Sequence, residues 1–145
     1  MPDRRKQRGP QPQDRLLFAS ACIPRLQAAA RDLSWLLTRR YAPTSSLKLV
    51  GDRYALNARQ RLAVARCSCG AEEAYSRKRR QVPVGALPQQ ALWIDGYNVL
   101  TSIEAALSGG VILHARDGCY RDMASMHGSY RKVQETMPSI QILGN

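Results

Sequence analysis

The sequence lacks any long hydrophobic run, and it is poor in acidic, aromatic, histidine and cysteine side chains. Of its 145 residues, 44% are apolar but only 6% are aromatic. No apolar stretch approaches the roughly 20 residues that a membrane-spanning helix needs. The amino terminus is basic and has no apolar segment behind it, so it does not resemble a secretion signal. We therefore expect no membrane span and a cytoplasmic location, with one domain or two small ones.

Histidine and cysteine are too few and too scattered to form a convincing metal site or disulfide framework. The four cysteines are Cys22, Cys67, Cys69 and Cys119. Cys67 and Cys69 lie close together but have no second pair at zinc-finger spacing. His114 and His127 are too distant to complete a tetrahedral site. The sequence therefore favours reduced thiols.

Acidic residues are scarce in the first half of the chain. The net charge is +11, from 22 Lys and Arg against 11 Asp and Glu. Residues 1–80 hold 18 cations and 6 anions, whereas residues 81–145 hold 4 and 5. A basic module joined to a near-neutral one predicts a polyanion, RNA or DNA, as the partner. A solvated basic surface that only confers solubility is the alternative.

Composition divides the chain into four parts. Residues 1–13 are rich in Pro, Gln and Arg, which predicts a disordered basic tail. Helical periodicity predicts a basic helical module over residues 14–69. Residues 70–90 combine a run of cations with Pro, Gly and Gln, which is typical of a linker. Residues 91–145 are predicted to form an α/β domain.

The helical module has the outline of a helix-turn-helix. Its first long helix carries a stripe of Leu26, Ala30, Leu33 and Leu37. A second, short helix is predicted over residues 45–50, closed by Gly51. Asn57 and Gln60 resemble a capping box that starts a third helix. Three short helices in this order suggest a DNA-binding module, although the connection from Gly51 to Asn57 is long for such a turn.

Seven cations on or after the third helix are the candidate nucleic-acid ligands. They are Arg59, Arg61, Arg66, Arg77, Lys78, Arg79 and Arg80. They either contact phosphates and base edges or form a solvent-exposed face. The run of four over residues 77–80 repels itself, so it should stay solvated unless a polyanion meets it.

The second domain is predicted to contain strands and helices in alternation. The expected elements are a strand over 91–94, a helix over 101–107, a short strand over 111–114, a helix over 118–136 and a strand over 139–143. The long helix is inferred from Tyr120, Met123, His127, Tyr130 and Val133, which recur at helical spacing. A long crossover between strands implies a parallel sheet, here a partial one.

An acid follows the first of these strands directly. Asp95 and Asn98 would then lie at the carboxyl edge of the sheet, where open α/β folds bind ligands. Asp95 with Glu104, Asp117 or Asp122 could hold Mg²⁺ or Mn²⁺ through oxygen. The ordinary alternative is that Asp95 closes a turn, Asp117 caps a helix and the other two acids are surface charges.

Two blocks of the chain resemble an uncharacterised prokaryotic family. The blocks are DLSWLLTRRYAPTSSLKLVGDRYALNARQR (32–61) and LWIDGYNVLTSIEAALSGGVILHARDGCYRDMASMHGSYRKVQET (92–136). In this order they are similar to the domain of unknown function 434 proteins with their companion C-terminal domain. The resemblance implies two domains but supplies no established activity.

The segment IDGYNVL separately resembles the opening strand of PIN-like and NYN ribonuclease domains. In those folds an Asp at the end of the first strand binds a divalent metal beside an Asn, which Asp95 and Asn98 match. PIN-like nucleases gather further acids from later strands, whereas this chain stops at Asn145. Three alternatives follow: the chain is truncated, it is a shortened relative, or Asp117 and Asp122 substitute.

These observations lead to competing hypotheses of function. The first is a metal-dependent PIN-like nuclease that uses Asp95 and Asn98 on RNA phosphodiesters. The second is a non-catalytic DNA- or RNA-binding or regulatory protein whose α/β domain serves assembly. A homodimer, or a missing partner segment, would complete the unfinished sheet. A structural remnant of a longer protein is the third.

Overall fold

The computed structural model describes residues 8–124 and 130–145 and divides the chain into two compact units. The basic unit comprises Arg15–Ala91 and Leu113–Arg121. The neutral unit comprises Met1–Asp14, Leu92–Ile112 and Asp122–Asn145. In the sequence, the basic-unit segments hold 16 Lys and Arg against 5 Asp and Glu, whereas the neutral-unit segments hold 6 of each. The excess positive charge is therefore confined to the basic unit.

Helices make up most of the basic unit. They are α1 (Asp14–Leu17), α2 (Ile23–Thr38), α3 (Pro43–Arg53), α4 (Ala58–Cys67) and α5 (Ala71–Arg80), with 3-10 turns at Ser20–Cys22 and Val84–Ala86. The buried core consists of Leu26, Ala29, Leu33, Val50, Leu56 and Val64. Full burial of each larger aliphatic side chain contributes about 1.5–3 kcal/mol. The predicted stripe on α2 thus faces this core. Among the described residues, no helix combines the length and apolarity needed to cross a membrane.

Helix α3 runs past Gly51, which the sequence predicted to close it. A Cβ at Gly51 would lie 2.4 Å from Arg61 Nη1, so the missing side chain lets that guanidinium lie against the helix. The helix ends at Arg53, and Ala55 follows with φ of 47°. The connection to α4 is therefore residues 54–57. A connection of four residues fits a helix-turn-helix, whereas the connection predicted from the sequence, from Gly51 to Asn57, was too long for one.

The capping box at the start of α4 is confirmed. Asn57 Oδ1 accepts from the Gln60 N–H at 2.9 Å, and Gln60 Oε1 accepts from the Asn57 N–H at 3.4 Å. The Gln60 side chain is buried, and its Nε2 donates to the Leu17 carbonyl at 2.9 Å. One polar side chain therefore both starts α4 and holds the end of α1.

A two-stranded antiparallel hairpin follows, formed by β1 (Ile112–His114) and β2 (Tyr120–Asp122). Its loop closes through Gly118, which has φ of 81° and whose N–H donates to the Ala115 carbonyl at 2.9 Å. A glycine in this conformation is the usual third residue of a short hairpin loop. The short strand predicted over 111–114 is confirmed.

The long helix predicted over residues 118–136 is wrong where the chain is described. Residues 120–122 form β2, and residues 130–135 precede a separate helix. The Asp117-Gly118 pair is the physical reason, because it turns the chain back before any helix can start. His127, placed on the predicted helix, lies outside the described residues.

The neutral unit contains α6 (Gly96–Leu107) and α7 (Thr136–Gly144), which pack together. The strands predicted over 91–94 and 139–143 are both wrong, because the first is irregular and the second lies within α7. Leu92, Trp93 and Ile94 are exposed, Trp93 at 98%. A strand exists only through pairing, and the only sheet among the described residues is the hairpin. The chain is therefore α/β only in the coarse sense, and the expected parallel sheet is absent from the described part.

A buried carboxylate, Glu104 on α6, organises the neutral unit. Its side chain is 0% exposed, and Arg8 Nε donates to its Oε2 at 2.5 Å. The hydroxyls of Tyr130 and Thr136 donate to Oε1. The Arg8 guanidinium also donates to the Arg131 carbonyl at 2.8 Å. Arg8 is thus buried by the unit, whereas the sequence placed it in a disordered tail.

We expect Asn57→Ala to lower the free energy of unfolding of the basic unit by about 1 kcal/mol, because the first turn of α4 loses its acceptor. Urea unfolding followed by circular dichroism measures the change. Asn57→Ser keeps a capping oxygen and should match the wild type to within a few tenths of a kcal/mol. Equal stability of all three proteins would contradict the capping role.

We expect Glu104→Gln to destabilise the neutral unit by about 3–5 kcal/mol, because it leaves the buried Arg8 guanidinium without a counter-charge. Hydrogen exchange of the α6 amides reports this unit alone. Asp95→Asn removes an exposed carboxylate from the same helix and is the matched control, with an expected loss below about 1 kcal/mol. Similar protection in the two variants would contradict the central role of Glu104.

Candidate nucleic-acid interface

The last turn of α5 carries four consecutive exposed cations, Arg77, Lys78, Arg79 and Arg80. The Arg79 guanidinium lies 5.8 Å from the centre of the Tyr75 ring, and Arg80 donates to Ser76 Oγ at 3.0 Å. Within the described part of the chain, no carboxylate pairs with Lys78, Arg79 or Arg80. The negative end of the helix dipole stabilises cations in the last turn of a helix. The run therefore lies in a helix, whereas the sequence analysis assigned it to a linker.

The first of these cations, Arg77, is anchored to the hairpin loop by Asp117. Arg77 Nη1 donates to Asp117 Oδ2 at 2.7 Å, and Arg121 donates to both carboxylate oxygens at 2.6 and 2.8 Å. The Cys119 N–H adds a bond to Oδ1 at 3.1 Å. The Asp117 side chain is 1% exposed. One carboxylate thus faces two guanidiniums, and the cluster keeps a surplus of one positive charge.

The electrostatics of this cluster follow from its geometry. The bidentate hydrogen bonds of Arg121, aided by the Cys119 N–H and Arg77, hold the pKa of Asp117 far below its usual value despite the opposing effect of burial. The hydrogen bonds to Asp117 raise the pKa of Arg77 and of Arg121 in return. All three groups are therefore fully charged at neutral pH.

The hairpin loop is also tied to the segment between α4 and α5. The Arg116 N–H donates to the Cys67 carbonyl at 2.9 Å, and its guanidinium donates to the Cys69 carbonyl at 3.4 Å. Burial raises the pKa of the Cys67 and Cys69 thiols, so they stay protonated. The cysteines are free, as the sequence predicted. The loop therefore has a fixed position beside the start of α5.

The cations predicted on the third helix have other tasks or partners. Arg61 is half-buried and donates to Asp52 Oδ1 at 2.7 Å and to the Leu56 carbonyl at 2.9 Å. It therefore joins α4 to α3 instead of presenting a free guanidinium. Arg59 and Arg66 lie half-buried on α4, and each has an interaction within the protein. Of the seven cations that the sequence singled out, the four on α5 are exposed.

An aromatic pair on the two strands of the hairpin was missed by the sequence analysis. The rings of His114 and Tyr120 are stacked, with centroids 4.7 Å apart and planes inclined by 15°. They lie directly opposite each other on β1 and β2, because the next pair towards the loop, Ala115 and Cys119, is hydrogen-bonded. The sequence placed Tyr120 on a helix. The Asp-Gly dipeptide between two apolar and aromatic stretches is the hairpin signal that could have found the pair.

The proposed catalytic pair is present but exposed. Asp95 precedes the first residue of α6, and its Oδ2 accepts from Asn98 Nδ2 at 2.6 Å. Both side chains are exposed, and the preceding segment is irregular instead of a buried strand. Asp95 and Asn98 are therefore hydrogen-bonded to each other, whereas the strand that was expected to place them at a sheet edge is not formed.

The other predicted metal ligands are engaged elsewhere. Glu104 is paired with Arg8, and Asp117 with Arg77 and Arg121. Asp122 accepts from the Ser102 hydroxyl at 2.7 Å and from a backbone N–H at 2.8 Å. In the described ranges, no three His, Cys, Asp or Glu side chains come together to hold a metal ion. This donor set does not fit Mg²⁺ or Mn²⁺.

Two family models match successive parts of the chain. A family model described as "Protein of unknown function (DUF434)" matches residues 25–80, and one described as "Domain of unknown function (DUF5616)" matches residues 84–145. The chain therefore fits an uncharacterised family with a companion domain, as the resemblance of its two blocks implied. The likeness to PIN-like nucleases stays a prediction.

A curated relative is the uncharacterized protein MJ0935 of Methanocaldococcus jannaschii. It is 29% identical over 118 residues, which are 81% of this chain. The chain spans 57% of the length of that relative. No solved structure matches the chain.

We expect the stability of the basic unit to fall as the pH is lowered from about 5 towards 2. The pKa of Asp117 is lowered by folding, whereas that of an unfolded Asp is about 3.9, so its contribution is complete above that value and is lost below it. Urea unfolding at a series of pH values measures this loss. Asp117→Asn should flatten the profile, while Asp52→Asn, which removes an exposed ion-paired carboxylate, should change it less. Identical profiles for wild type and Asp117→Asn would contradict the assignment.

Proposed function

We propose that this protein binds nucleic acid through its basic unit, by a surface that we call the α5–hairpin surface. Its cations are Lys78, Arg79, Arg80, Arg116 and the Arg77–Asp117–Arg121 cluster. The observation that carries the proposal is that three consecutive exposed cations on α5 have no carboxylate partner among the described residues. They lie in a unit with 16 basic and 5 acidic residues. Phosphates are the ligands that such a surface attracts.

The fixed positions of Arg77 and Arg116 favour a binding surface over one that only confers solubility. A solubilising charge needs no fixed position, whereas Arg77 is held by a carboxylate that is 1% exposed. The Arg116 backbone N–H donates to the carbonyl of Cys67, the last residue of α4, and its guanidinium donates to the Cys69 carbonyl. Preorganised cations lose less conformational entropy when they meet a phosphate. The four-residue connection between α3 and α4 also supports a helix-turn-helix contribution to binding.

The alternatives from the sequence remain separable. Metal-dependent cleavage of RNA needs ligands beyond Asp95, and Glu104 and Asp117 are neutralised by arginines. We therefore favour a non-catalytic binder. Assembly through the neutral unit, as a homodimer or with a partner segment, stays a prediction, and the exposed Leu92 and Trp93 are consistent with it.

We expect the double variant Lys78→Gln/Arg79→Gln to bind RNA and DNA more weakly and with less dependence on salt. The slope of log K against log salt should decrease by about 1 for each phosphate contact that is lost. Fluorescence anisotropy with labelled oligonucleotides at several salt concentrations measures both quantities.

The matched control is Arg131→Gln/Lys132→Gln, which removes one Arg and one Lys from exposed positions of the neutral unit. We expect its affinity and salt slope to stay close to wild type. Binding should also survive Asp95→Asn, with no cleavage in Mg²⁺ or Mn²⁺. Equal losses in the two double variants would contradict the proposed surface, and cleavage that disappears in Asp95→Asn would establish the nuclease instead.

A further inference from the structure

The His114–Tyr120 stack is the feature of the basic unit that charge alone does not explain. The two rings lie on neighbouring strands, 4.7 Å apart and nearly parallel. Cross-strand aromatic pairs contribute to hairpin stability, so one ring face is accounted for by the fold. Tyr120 nevertheless remains 69% exposed, and His114 is exposed as well. A flat apolar ring therefore stays available to a ligand.

The charge of the hairpin that carries the stack selects the ligand. Tyr120 precedes Arg121, whose guanidinium lies in the Asp117 cluster with its surplus positive charge. The loop that joins the two strands carries the exposed Arg116, held to the Cys69 carbonyl at 3.4 Å. A hairpin that carries both an exposed aromatic ring and fixed guanidiniums suits a ligand that has a flat ring and a phosphate. A nucleotide has both parts.

We propose that Tyr120, supported from behind by His114, is a stacking platform for an unpaired base of a single-stranded nucleic acid. This inference rests on the proposed function and names its substrate class. Bases of a duplex are stacked on their neighbours and cannot reach a side chain on the protein surface, whereas bases of a single strand can. The cations of α5 and the loop bind phosphates of either form, and Tyr120 distinguishes the two.

The test compares single-stranded and duplex binding by fluorescence anisotropy. The probes are a single strand of about 16 thymidines, the corresponding uridine strand and a duplex of the same length. We expect Tyr120→Leu to weaken single-strand binding by about 5-fold or more and to change duplex binding by less than about 2-fold. Tyr120→Phe retains the ring and should bind the single strands like wild type. Tyr41→Leu, which changes an exposed tyrosine between α2 and α3, is the matched control and should leave both affinities unchanged.

A second measurement does not depend on the folding of any variant. A strand of abasic nucleotides has the same phosphates as the thymidine strand but no bases. We expect wild-type protein to bind it about 5-fold or more weakly than the thymidine strand. Equal affinity for the two strands would overturn the proposal.

The outcomes separate this inference from the proposed function. Binding could depend on salt and weaken in Lys78→Gln/Arg79→Gln, yet be unchanged by Tyr120→Leu and by removal of the bases. That result would support nucleic-acid binding by the basic unit and overturn the stacking platform. Equal losses of single-strand and duplex affinity in Tyr120→Leu would also overturn it. If the protein bound none of the probes, both the proposed function and the stacking platform would be overturned. A loss confined to single strands, restored in Tyr120→Phe, supports the platform.

Discussion

The basic unit depends on one buried carboxylate shared by two guanidiniums. Asp117 lies in a turn that Gly118 makes possible, and its oxygens accept four hydrogen bonds, three of them from arginines. A single carboxylate cannot neutralise both Arg77 and Arg121, so the cluster that fixes the loop also remains positive. Charge-assisted, bidentate bonds of this kind are strong and directional, so they hold the hairpin loop against α5.

The neutral unit uses the same device for a different purpose. Glu104 is fully buried. The Arg8 guanidinium donates to its Oε2, and the hydroxyls of Tyr130 and Thr136 donate to its Oε1. Breaking a buried pair leaves an uncompensated charge, so this contact ties distant segments of the chain into one unit. Because its oxygens are occupied in this way, Glu104 is not available to a metal ion. The acid that the sequence predicted as a metal ligand is therefore structural.

Local signals in the sequence were sufficient where the cause was local. The capping box of Asn57 and Gln60 and the apolar stripe of α2 were predicted because backbone capping and helical periodicity act within a few residues. The predicted strand before Asp95 was wrong because a strand needs a partner that no local pattern can specify. Tyr120 was misassigned because its spacing with Met123 imitates a helix, while the Asp117-Gly118 turn decided the conformation. Glu104 and Asp117 are unavailable to a metal ion because Arg8 and Arg77, which lie 96 and 40 positions away, pair with them.

The sequence by itself determined the concentration of positive charge in one part of the chain and the helical character of the first half. These follow from composition and periodicity, which every residue carries with it. Only the tertiary structure decided which charges are accessible, because ion pairs such as Arg61–Asp52, Arg8–Glu104 and Arg77–Asp117 join residues 9, 96 and 40 positions apart. Pairing over such separations is set by packing of the folded chain, and it leaves the cations of α5 and the ring of Tyr120 exposed to solvent.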